Sequence, residues 1–484
     1  MKTIYFFIII ITLGSLSGCK KFLEENPRGL LSGDAAIADE SGLKAQLAGA
    51  YHTLIGSWDM GFATAAAIGT TMGGDDVTSH PESNKADFRE FDQFNVTAFN
   101  GRSVALWNGS YKAIQSANNI INNYEGVTGD ATAIRQIAGE AYFLRAFSYY
   151  YLVRLWGKVP LITTEVYSPE LLTIEKSEIA DIYNLIEEDL NKAKDMVGNT
   201  KPSSGRINRG TVLAYLSDVY LTQTGWPVKN SAKAAQAAAL AKEIIDNKST
   251  YGFDLYQGDF LTIFAGGTAE EVFALQTDGV VTENLFYGLA GMPVDIDGWN
   301  DYHAEINFFN NFPEGNRKEG TFLTSVTKDG QVITWQNFEL KHPYYKKFWI
   351  QNGNPNTYHS KNPIILMRYA EVLLIYAEAK ARSGSPDSDA YNAINAVRQR
   401  AGLGNLAAGL NSDDFIKAVV QERAWEFAAE WHRWFDLVRT ETVAAANANR
   451  HANEIPLIGN PADPSKWLLP IPAGDATVNP NLGK

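Results

Sequence analysis

Cysteine is almost absent from this chain of 484 residues, and the single one, Cys19, lies close to the amino terminus. One cysteine cannot close a disulfide bond within the chain or supply the several thiolates of a zinc site. The sequence also contains no phosphate-binding Gly-x-x-x-x-Gly-Lys-Ser/Thr loop, no Gly-x-Ser-x-Gly nucleophile turn and no His-Glu-x-x-His zinc motif. These absences exclude a disulfide framework and the commonest motifs of nucleotide-binding and hydrolytic enzymes.

Positive charge is also in short supply. Lysine and arginine together number 42, against 55 aspartate and glutamate residues, which gives a formal net charge of -13 at pH 7. A surface this acidic repels a phosphate backbone, which argues against nucleic acid as a partner. The 45% of hydrophobic residues is nevertheless enough to build a large core.

The amino terminus carries the pattern of a lipoprotein signal peptide. Lys2 precedes an apolar run over residues 4–13, and this run leads to a lipobox-like tetrapeptide that ends at Cys19. We predict that residues 1–18 are removed, that lipidation of Cys19 leaves no free thiol, and that residues 19–38 form a tether. Loss of Lys2 takes the formal charge from -13 to -14. The alternative is an ordinary secretory leader.

Amphipathic patterns predict that helices dominate the rest of the chain. Gly157 is placed as the C-cap of one of these helices, Pro160 as the residue that stops it, and Asn208 as the N-cap of another. The predicted helices cover residues 40–55, 104–124, 131–156, 177–197, 208–224, 232–247, 364–382, 388–401 and 413–440.

Two long irregular regions, about 57–100 and 251–362, interrupt this helical body. Loops of that length are normally functional or disordered, and the aromatic residues of the second region argue against disorder. The predicted fold is therefore mainly α: tetratricopeptide-like helical hairpins that form a superhelical scaffold, with long irregular loops and minor β hairpins. The scaffold is predicted over 39–56, 104–248 and 364–440, within a single domain that spans 39–484.

Five segments of the chain resemble the SusD/RagB family, and they follow the order of that family. The most specific segment reads LMRYAEVLLIYAEA over residues 366–379 and is followed by AINAVRQRAGL over 393–403. The chain departs from the family pattern at Trp431, where the family usually has glycine. The remaining segments lie at 144–160, at 205–221, at 421–427 with 433–439, and at 469–472 with 479–482.

This resemblance implies a non-catalytic surface lipoprotein. Members of the family work with TonB-dependent transporters of the SusC type in the outer membrane of Gram-negative bacteria. The resemblance therefore implies that this chain is anchored through Cys19, faces the cell exterior, captures oligosaccharides and delivers them to a SusC-like transporter. Two alternatives stay open, namely a lipoprotein that captures peptides for uptake and a surface glycoside hydrolase.

Arginines and acids alternate in the most specific segments. Arg368, Glu371, Glu378 and Arg382 fall near one stripe of a predicted helix. Paired acids could cleave a glycosidic bond, but interleaved arginines would keep both acids ionised, which favours a charge network between helices. The same prediction applies to Glu422, Arg423, Glu426, Glu430 and Arg433, while His432 is expected to be a packed helix residue.

A sugar-binding site needs aromatic side chains that stack on the sugar and polar side chains that bond its hydroxyl groups. Each aromatic residue has the alternative of plain core packing, which is the interpretation for Trp58 and Trp107. The ligand-binding candidates are Asp75, Asp76, Asn84 and Arg89 in the first irregular region and Tyr287, Trp299, Asn300, Tyr302 and Trp335 in the second.

The turn around Gly298 carries a weak calcium pattern. Asp295, Asp297 and Asp301 offer the hard oxygen ligands that calcium prefers, but the spacing is not that of an EF-hand. A solvated turn is the favoured interpretation. We therefore expect no cofactor, with a structural calcium ion at this turn as the alternative.

Overall fold

A computed structural model describes residues 37–56, 71–82, 84–164, 168–277, 289–348 and 361–483. The predicted signal peptide, the lipid anchor at Cys19 and most of the tether lie outside the described residues. Trp58 and Tyr287 lie outside them as well, so the roles assigned to these two residues stay predictions.

The described chain is mainly helical, with a few short strands, as the sequence predicts. The α-helices are α1 (Glu40–Ile55), α2 (Ala86–Asp92), α3 (Gly101–Asn123), α4 (Ala131–Trp156), α5 (Ile179–Met196), α6 (Arg209–Gln223), α7 (Lys233–Asp246), α8 (Lys248–Tyr251), α9 (Ile306–Asn310), α10 (Asn316–Thr321), α11 (Tyr369–Arg382), α12 (Ser388–Arg400), α13 (Ser412–Glu426), α14 (Arg433–Arg439), α15 (Val443–Asn447) and α16 (Ala473–Val478). The strands are β1 (Val77–Ser79), β2 (Glu271–Leu275), β3 (Tyr302–Ala304), β4 (Phe322–Leu323), β5 (Ser325–Lys328), β6 (Gln331–Thr334), β7 (Tyr344–Tyr345) and β8 (Ile364–Arg368).

Capping residues fix where helices begin and end. The side chain of Asn208 accepts a hydrogen bond from the backbone N–H of Thr211 at the start of α6. Helix α4 ends at Gly157, whose φ of 70° lies in the left-handed region and whose N–H donates to the carbonyl oxygen of Val153. The predicted cap roles of Asn208 and Gly157 are confirmed.

Successive helices pack as hairpins. Helices α3 to α7 each lie against the next, and α11 then packs against α7, α12 and α13. Ala234, Ala237 and Ala241 on α7 are fully buried, and such small side chains let neighbouring helices approach closely. One core cluster connects these helices, and the predicted hairpin scaffold is confirmed. Within the part of the chain described, none of the helices combines the length and apolar character needed to cross a membrane.

The first five residues of the predicted helix 364–382 form a strand instead. All five residues of β8 are buried, and β8 pairs antiparallel with β2, so α11 begins only at Tyr369. A short apolar run that is buried on every side shows neither helical nor strand periodicity, and the β-branched Ile364 and Ile365 favour a strand. The prediction of helix over these five residues is wrong.

The predicted helix 413–440 is broken by a buried turn. Helix α13 ends at Glu426 and α14 begins at Arg433. Between them, Ala429 and Trp431 have φ values of 59° and 72°, a left-handed conformation that a continuous α-helix does not allow. Position 431 is where the family usually has glycine, and glycine adopts a positive φ without steric cost.

The two irregular regions are joined through strand pairing. Strand β1 from the first region pairs antiparallel with β3 from the second, so that Thr78 lies opposite His303. Strands β5 and β6 form a hairpin whose turn residues, Asp329 and Gly330, have φ values of 51° and 77°. The β1–β3 pairing brings the two predicted ligand regions side by side.

Arg368 is the centre of a buried ion cluster. Its guanidinium lies 2.5 Å from Glu270, 2.8 Å from Glu426 and 2.7 Å from Glu430. The ammonium of Lys347 lies 2.5 Å from Glu430, and both basic side chains are almost completely buried. These contacts join β8, the segment before β2, α13 and the turn after α13.

A second ion cluster ties α11 to α13 and α14. Arg439 lies 2.5 Å from Glu378 and 2.7 Å from Asp436, and Arg423 lies 2.8 Å from Asp436 and 3.1 Å from Glu371. Burial raises the pKa of Glu378, but neighbouring arginines, foremost Arg439, outweigh burial and lower that pKa to about 2. The acids are therefore ionised and sealed from solvent, and the predicted charge network between helices is confirmed.

We predict that Arg368→Met lowers the free energy of unfolding by about 3–5 kcal/mol, because three buried carboxylates lose the cation that they share, although contacts to Lys347 and Arg400 remain. Urea unfolding followed by circular dichroism measures this change. The matched control is Lys417→Met, which removes a surface ion pair to Asp414 with 77% of the lysine side chain exposed and is expected to cost less than about 1 kcal/mol. Equal unfolding midpoints for the two variants would contradict the role assigned to Arg368.

Candidate ligand-binding surface

The loop that precedes β3 is held in one conformation by its own backbone. The N–H groups of Gly298, Asn300 and Asp301 donate to carbonyl oxygens earlier in the loop, at 2.9 to 3.0 Å. A Cβ atom on Gly298 would lie 2.1 Å from the carbonyl oxygen of Met292, so this position requires glycine. The loop therefore presents the residue between Gly298 and Asn300, Trp299, in a fixed position.

Trp299 is half-buried and packs against the main core. The ammonium of Lys85, at the start of α2, lies 5.1 Å from the centroid of the Trp299 ring and 3.3 Å from a carboxylate oxygen of Asp301. Trp299 thus combines an aromatic ring with a neighbouring cation, Lys85, which is itself paired with the buried Asp301.

Asp301 changes its charge close to neutral pH. Its side chain is 4% exposed, and burial raises its pKa to about 6 against the opposing effect of Lys85 and Arg102. The backbone carbonyl of Asp301 also accepts a hydrogen bond from His80. Asp301 is therefore fixed in place and carries its full negative charge only above this pKa.

Two arginines complete this surface. Arg102 lies in the first turn of α3, with its guanidinium 5.1 Å from the centroid of the Phe88 ring. Arg89 on α2 is half-buried, and its guanidinium donates to the carbonyl oxygen of His80 at 3.2 Å. The Trp299 surface is defined by Trp299, Lys85, Arg89 and Arg102, and the buried Asp301 pairs with Lys85.

Trp335 lines a separate groove. It is half-buried, meets Phe309 edge to face at 5.7 Å between ring centroids, and opens on a cavity of about 630 Å³. Lys318 in the same groove lies 4.5 Å from the Phe309 centroid and 2.6 Å from Glu314. The groove offers a second aromatic wall with polar neighbours, and ligand binding by Trp335 stays a prediction.

Asp75 and Asp76 link the first irregular region to the helical scaffold. Asp75 binds the guanidinium of Arg433 with both carboxylate oxygens, at 2.5 and 2.7 Å. Asp76 is 4% exposed and accepts a hydrogen bond from the N–H of Ala429 at 2.8 Å. The predicted ligand contact of Asp76 is contradicted by this burial. Asp75 pairs with Arg433, which the sequence analysis assigned to the charge network between helices.

Burial also contradicts ligand contacts by two residues next to Trp299. Tyr302 is 1% exposed, and Asn300 is 2% exposed. The side-chain oxygen of Asn300 accepts hydrogen bonds from the N–H of Val294 at 2.7 Å and the hydroxyl of Tyr344 at 2.6 Å. Asn300 holds the loop in shape instead, and Tyr302 is buried in β3, whereas Arg89 and Asn84 keep access to solvent.

The three acids of the calcium pattern have separate positions and partners. Asp295 accepts a hydrogen bond from the N–H of Glu339, Asp297 is exposed in the left-handed conformation, and Asp301 pairs with Lys85. Across the residues that the structure describes, no three histidines, cysteines or acids lie close enough to hold a metal ion. These three acids are not brought together as calcium ligands.

Sequence reasoning missed Lys85 and Arg102. Neither residue stands in a motif. Lys85 reaches the Trp299 ring, and Arg102 comes within electrostatic reach of Asp301, because β1 pairs with β3 across a long separation in the chain. Trp107, which the sequence predicts to be a core residue and not a ligand contact, is 3% exposed and packs edge to face on Trp156.

The scaffold matches that of solved SusD structures. A SusD homologue from Bacteroides thetaiotaomicron superposes with a TM-score of 0.80 at 24% identity over 92% of this chain and 96% of that one. A laminarin-binding SusD-like protein gives a TM-score of 0.76 at 23% identity, with 91% and 98% of the two chains covered. A structure solved with a xylogluco-oligosaccharide gives 0.74 at 22% identity, with the same coverage. The protein therefore has the SusD superfamily fold.

Sequence comparison leads to the family. Residues 21–221 match a family described as starch-binding and associating with the outer membrane, and residues 282–484 match the SusD family. SusD-like protein P2 of Formosa agariphila is 28% identical over 510 residues, which cover 99% of this chain and 98% of that protein. The starch-binding protein SusD of Bacteroides thetaiotaomicron is 26% identical over 405 residues, 67% and 68% of the two chains. The chain belongs to the SusD/RagB family.

We predict that Asp76→Ala lowers the free energy of unfolding by about 1–3 kcal/mol, because the buried N–H of Ala429 loses its acceptor. Thermal and urea unfolding measure this effect. Asn84→Ala is the control in the same region, because Asn84 is exposed and its replacement is expected to change stability by less than about 0.5 kcal/mol. If Asp76→Ala were as stable as the wild type, Asp76 would not be the structural link described here.

Proposed function

We propose that this protein is a non-catalytic lipoprotein of the outer cell surface that captures oligosaccharides and delivers them to a TonB-dependent SusC-like transporter. The observation that carries this proposal is the rigid presentation of Trp299 beside charged side chains. A sugar ring has flat C–H faces that stack on an aromatic ring, and hydroxyl groups that bond charged side chains strongly. Relatives of this chain are a starch-binding protein, a laminarin-binding protein and a protein solved with a xylogluco-oligosaccharide.

The acids of the described chain support capture over hydrolysis. Glu371, Glu378, Glu422 and Glu426 are buried and pair with arginines, so a substrate cannot reach them. A glycoside hydrolase needs two carboxyl groups that face the bond to be cleaved, one of them protonated. Asp301, the acid beside Trp299, has its pKa raised to about 6 by burial, so at neutral pH it is mostly ionised and paired with the ammonium of Lys85.

We predict that Trp299→Ala weakens oligosaccharide binding by at least about tenfold, the equivalent of about 1.4 kcal/mol, because the stacking surface is lost. Titration calorimetry with starch, laminarin and xyloglucan oligosaccharides, and with a peptide panel, measures binding to the wild type and the variant. Trp335→Ala is the comparison variant, and its effect shows whether the second groove also binds.

Three outcomes of this experiment would contradict the proposal. Glycan binding that survives Trp299→Ala unchanged would remove the Trp299 surface as the site. Binding of peptides alone would replace sugar capture with peptide capture. Chromatographic detection of shortened glycans after incubation with the wild type, but not with buffer, would make the protein a hydrolase.

We predict that Cys19 is the lipid attachment site. In a Gram-negative host fed an alkyne fatty acid, the wild type is expected to become labelled and to fractionate with the outer membrane. Cys19→Ala is expected to lose both properties, because no other cysteine is present. Protease treatment of intact cells tests the orientation, since a protein that faces the exterior is digested without lysis. Labelling of Cys19→Ala would disprove the anchor.

A further inference from the structure

Arg102 is a cation without an ion-pair partner at the candidate site, although its guanidinium lies over the Phe88 ring. Its Nε atom is buried and lacks a hydrogen bond, and its guanidinium makes no ion pair within 4.0 Å to any described residue. Other buried arginines of this chain meet a carboxylate, as Arg433 does with Asp75 and Arg450 with Asp92. An arginine keeps its charge in a protein, so the half-buried Arg102 requires an anion or water at its open side.

The acids near Arg102 are already engaged. Asp87 accepts a hydrogen bond from the N–H of Gly101 at 3.1 Å, and Asp301 lies 3.3 Å from the ammonium of Lys85. Burial lowers the pKa of Arg102, and these two acids oppose the change from a distance, which places both within electrostatic reach of its guanidinium. Asp87 and Asp301 attract the Arg102 guanidinium from a distance, but neither forms the two parallel hydrogen bonds that a carboxylate can make with a guanidinium.

We infer that the Trp299 surface binds an acidic oligosaccharide, whose sugars carry carboxylate or sulfate groups, with Arg102 as the residue that receives the anionic group. This inference rests on the proposed function and specifies its ligand. Trp299 supplies the stacking surface, Arg102 a planar donor group that fits two oxygens at once, and Lys85 a second cation above the ring.

The charge of the whole protein makes these cations necessary for such a ligand. At a formal charge of -13, the surface as a whole repels a polyanion, so an acidic glycan needs local cations to bind. Binding that depends on these cations weakens as salt screens them. A neutral glycan would gain little from Arg102 and would show little dependence on salt.

The test compares Arg102→Gln with Arg135→Gln in the full chain. Arg135, on α4, also lacks a carboxylate partner among the described residues and donates to the carbonyl oxygen of Asp195 at 2.5 Å, outside the Trp299 surface. The probes are an oligogalacturonate, a sulfated carrageenan oligosaccharide and a neutral xyloglucan oligosaccharide, each titrated by calorimetry at low and high salt. Circular dichroism melting checks that each variant is folded, and Lys85→Gln gives a second variant at the same surface.

We expect the wild type to bind at least one acidic probe at least about tenfold more tightly than the neutral one. Arg102→Gln is expected to remove most of that preference and its salt dependence, while Arg135→Gln leaves affinity within about twofold. A wild type that prefers the neutral probe, or an acidic preference that survives both Arg102→Gln and Lys85→Gln, would overturn this inference and leave oligosaccharide capture standing. Absence of binding to every glycan tested would overturn the proposed function with it.

Discussion

The buried guanidinium of Arg368 is the contact on which the rest of the molecule depends. Arg368 lies where β8 ends and α11 begins. Its guanidinium pairs with both Glu426, at the end of α13, and Glu430, in the turn that follows α13. The turn fixed in this way places the N–H of Ala429 against Asp76, and the next residues after Asp76 form β1. Since β1 pairs with β3, the position of the loop before β3 traces back to the ion cluster. The buried charges of the scaffold therefore fix the position of the candidate site.

The same turn shows how packing overrides a backbone preference. Trp431 has a φ of 72°, a conformation that costs a residue with a side chain about 1–2 kcal/mol. Its side chain is only 5% exposed, and removing a buried tryptophan typically costs about 3–5 kcal/mol. Packing therefore outweighs the strain, which explains how this chain accommodates tryptophan where its family usually has glycine. The departure changes the filling of the core and leaves the turn intact.

The sequence predicted the parts of the fold whose causes are local. Helices α4 and α6 have caps that can be read from adjacent residues, although nearly every residue of α6 is buried and this helix has no polar face. β8 was mistaken for helix because its identity depends on pairing with β2, far away in the chain. The candidate site divides in the same way: Trp299 stands in a recognisable Asp-Gly-Trp-Asn-Asp context, whereas its neighbours Lys85 and Arg102 are brought there by the pairing of β1 with β3. Local patterns cannot report such contacts.

The arginines of this protein fall into two groups, those that pair with buried acids and the one that we infer to bind a ligand. Arg368 and Arg439 form buried ion pairs with acids of the scaffold. Their charges are therefore neutralised inside the protein and are not accessible to a ligand. Arg102 lies in the first turn of α3, away from those clusters, and its charge stays available. In the proposed function a captured sugar is also released to a transporter, which favours a few open contacts over a sealed pocket. An open aromatic surface with one unmatched cation meets that requirement. The cation attracts a ligand at close range, but because the contact is exposed to solvent, dissolved salt screens it and the ligand can leave.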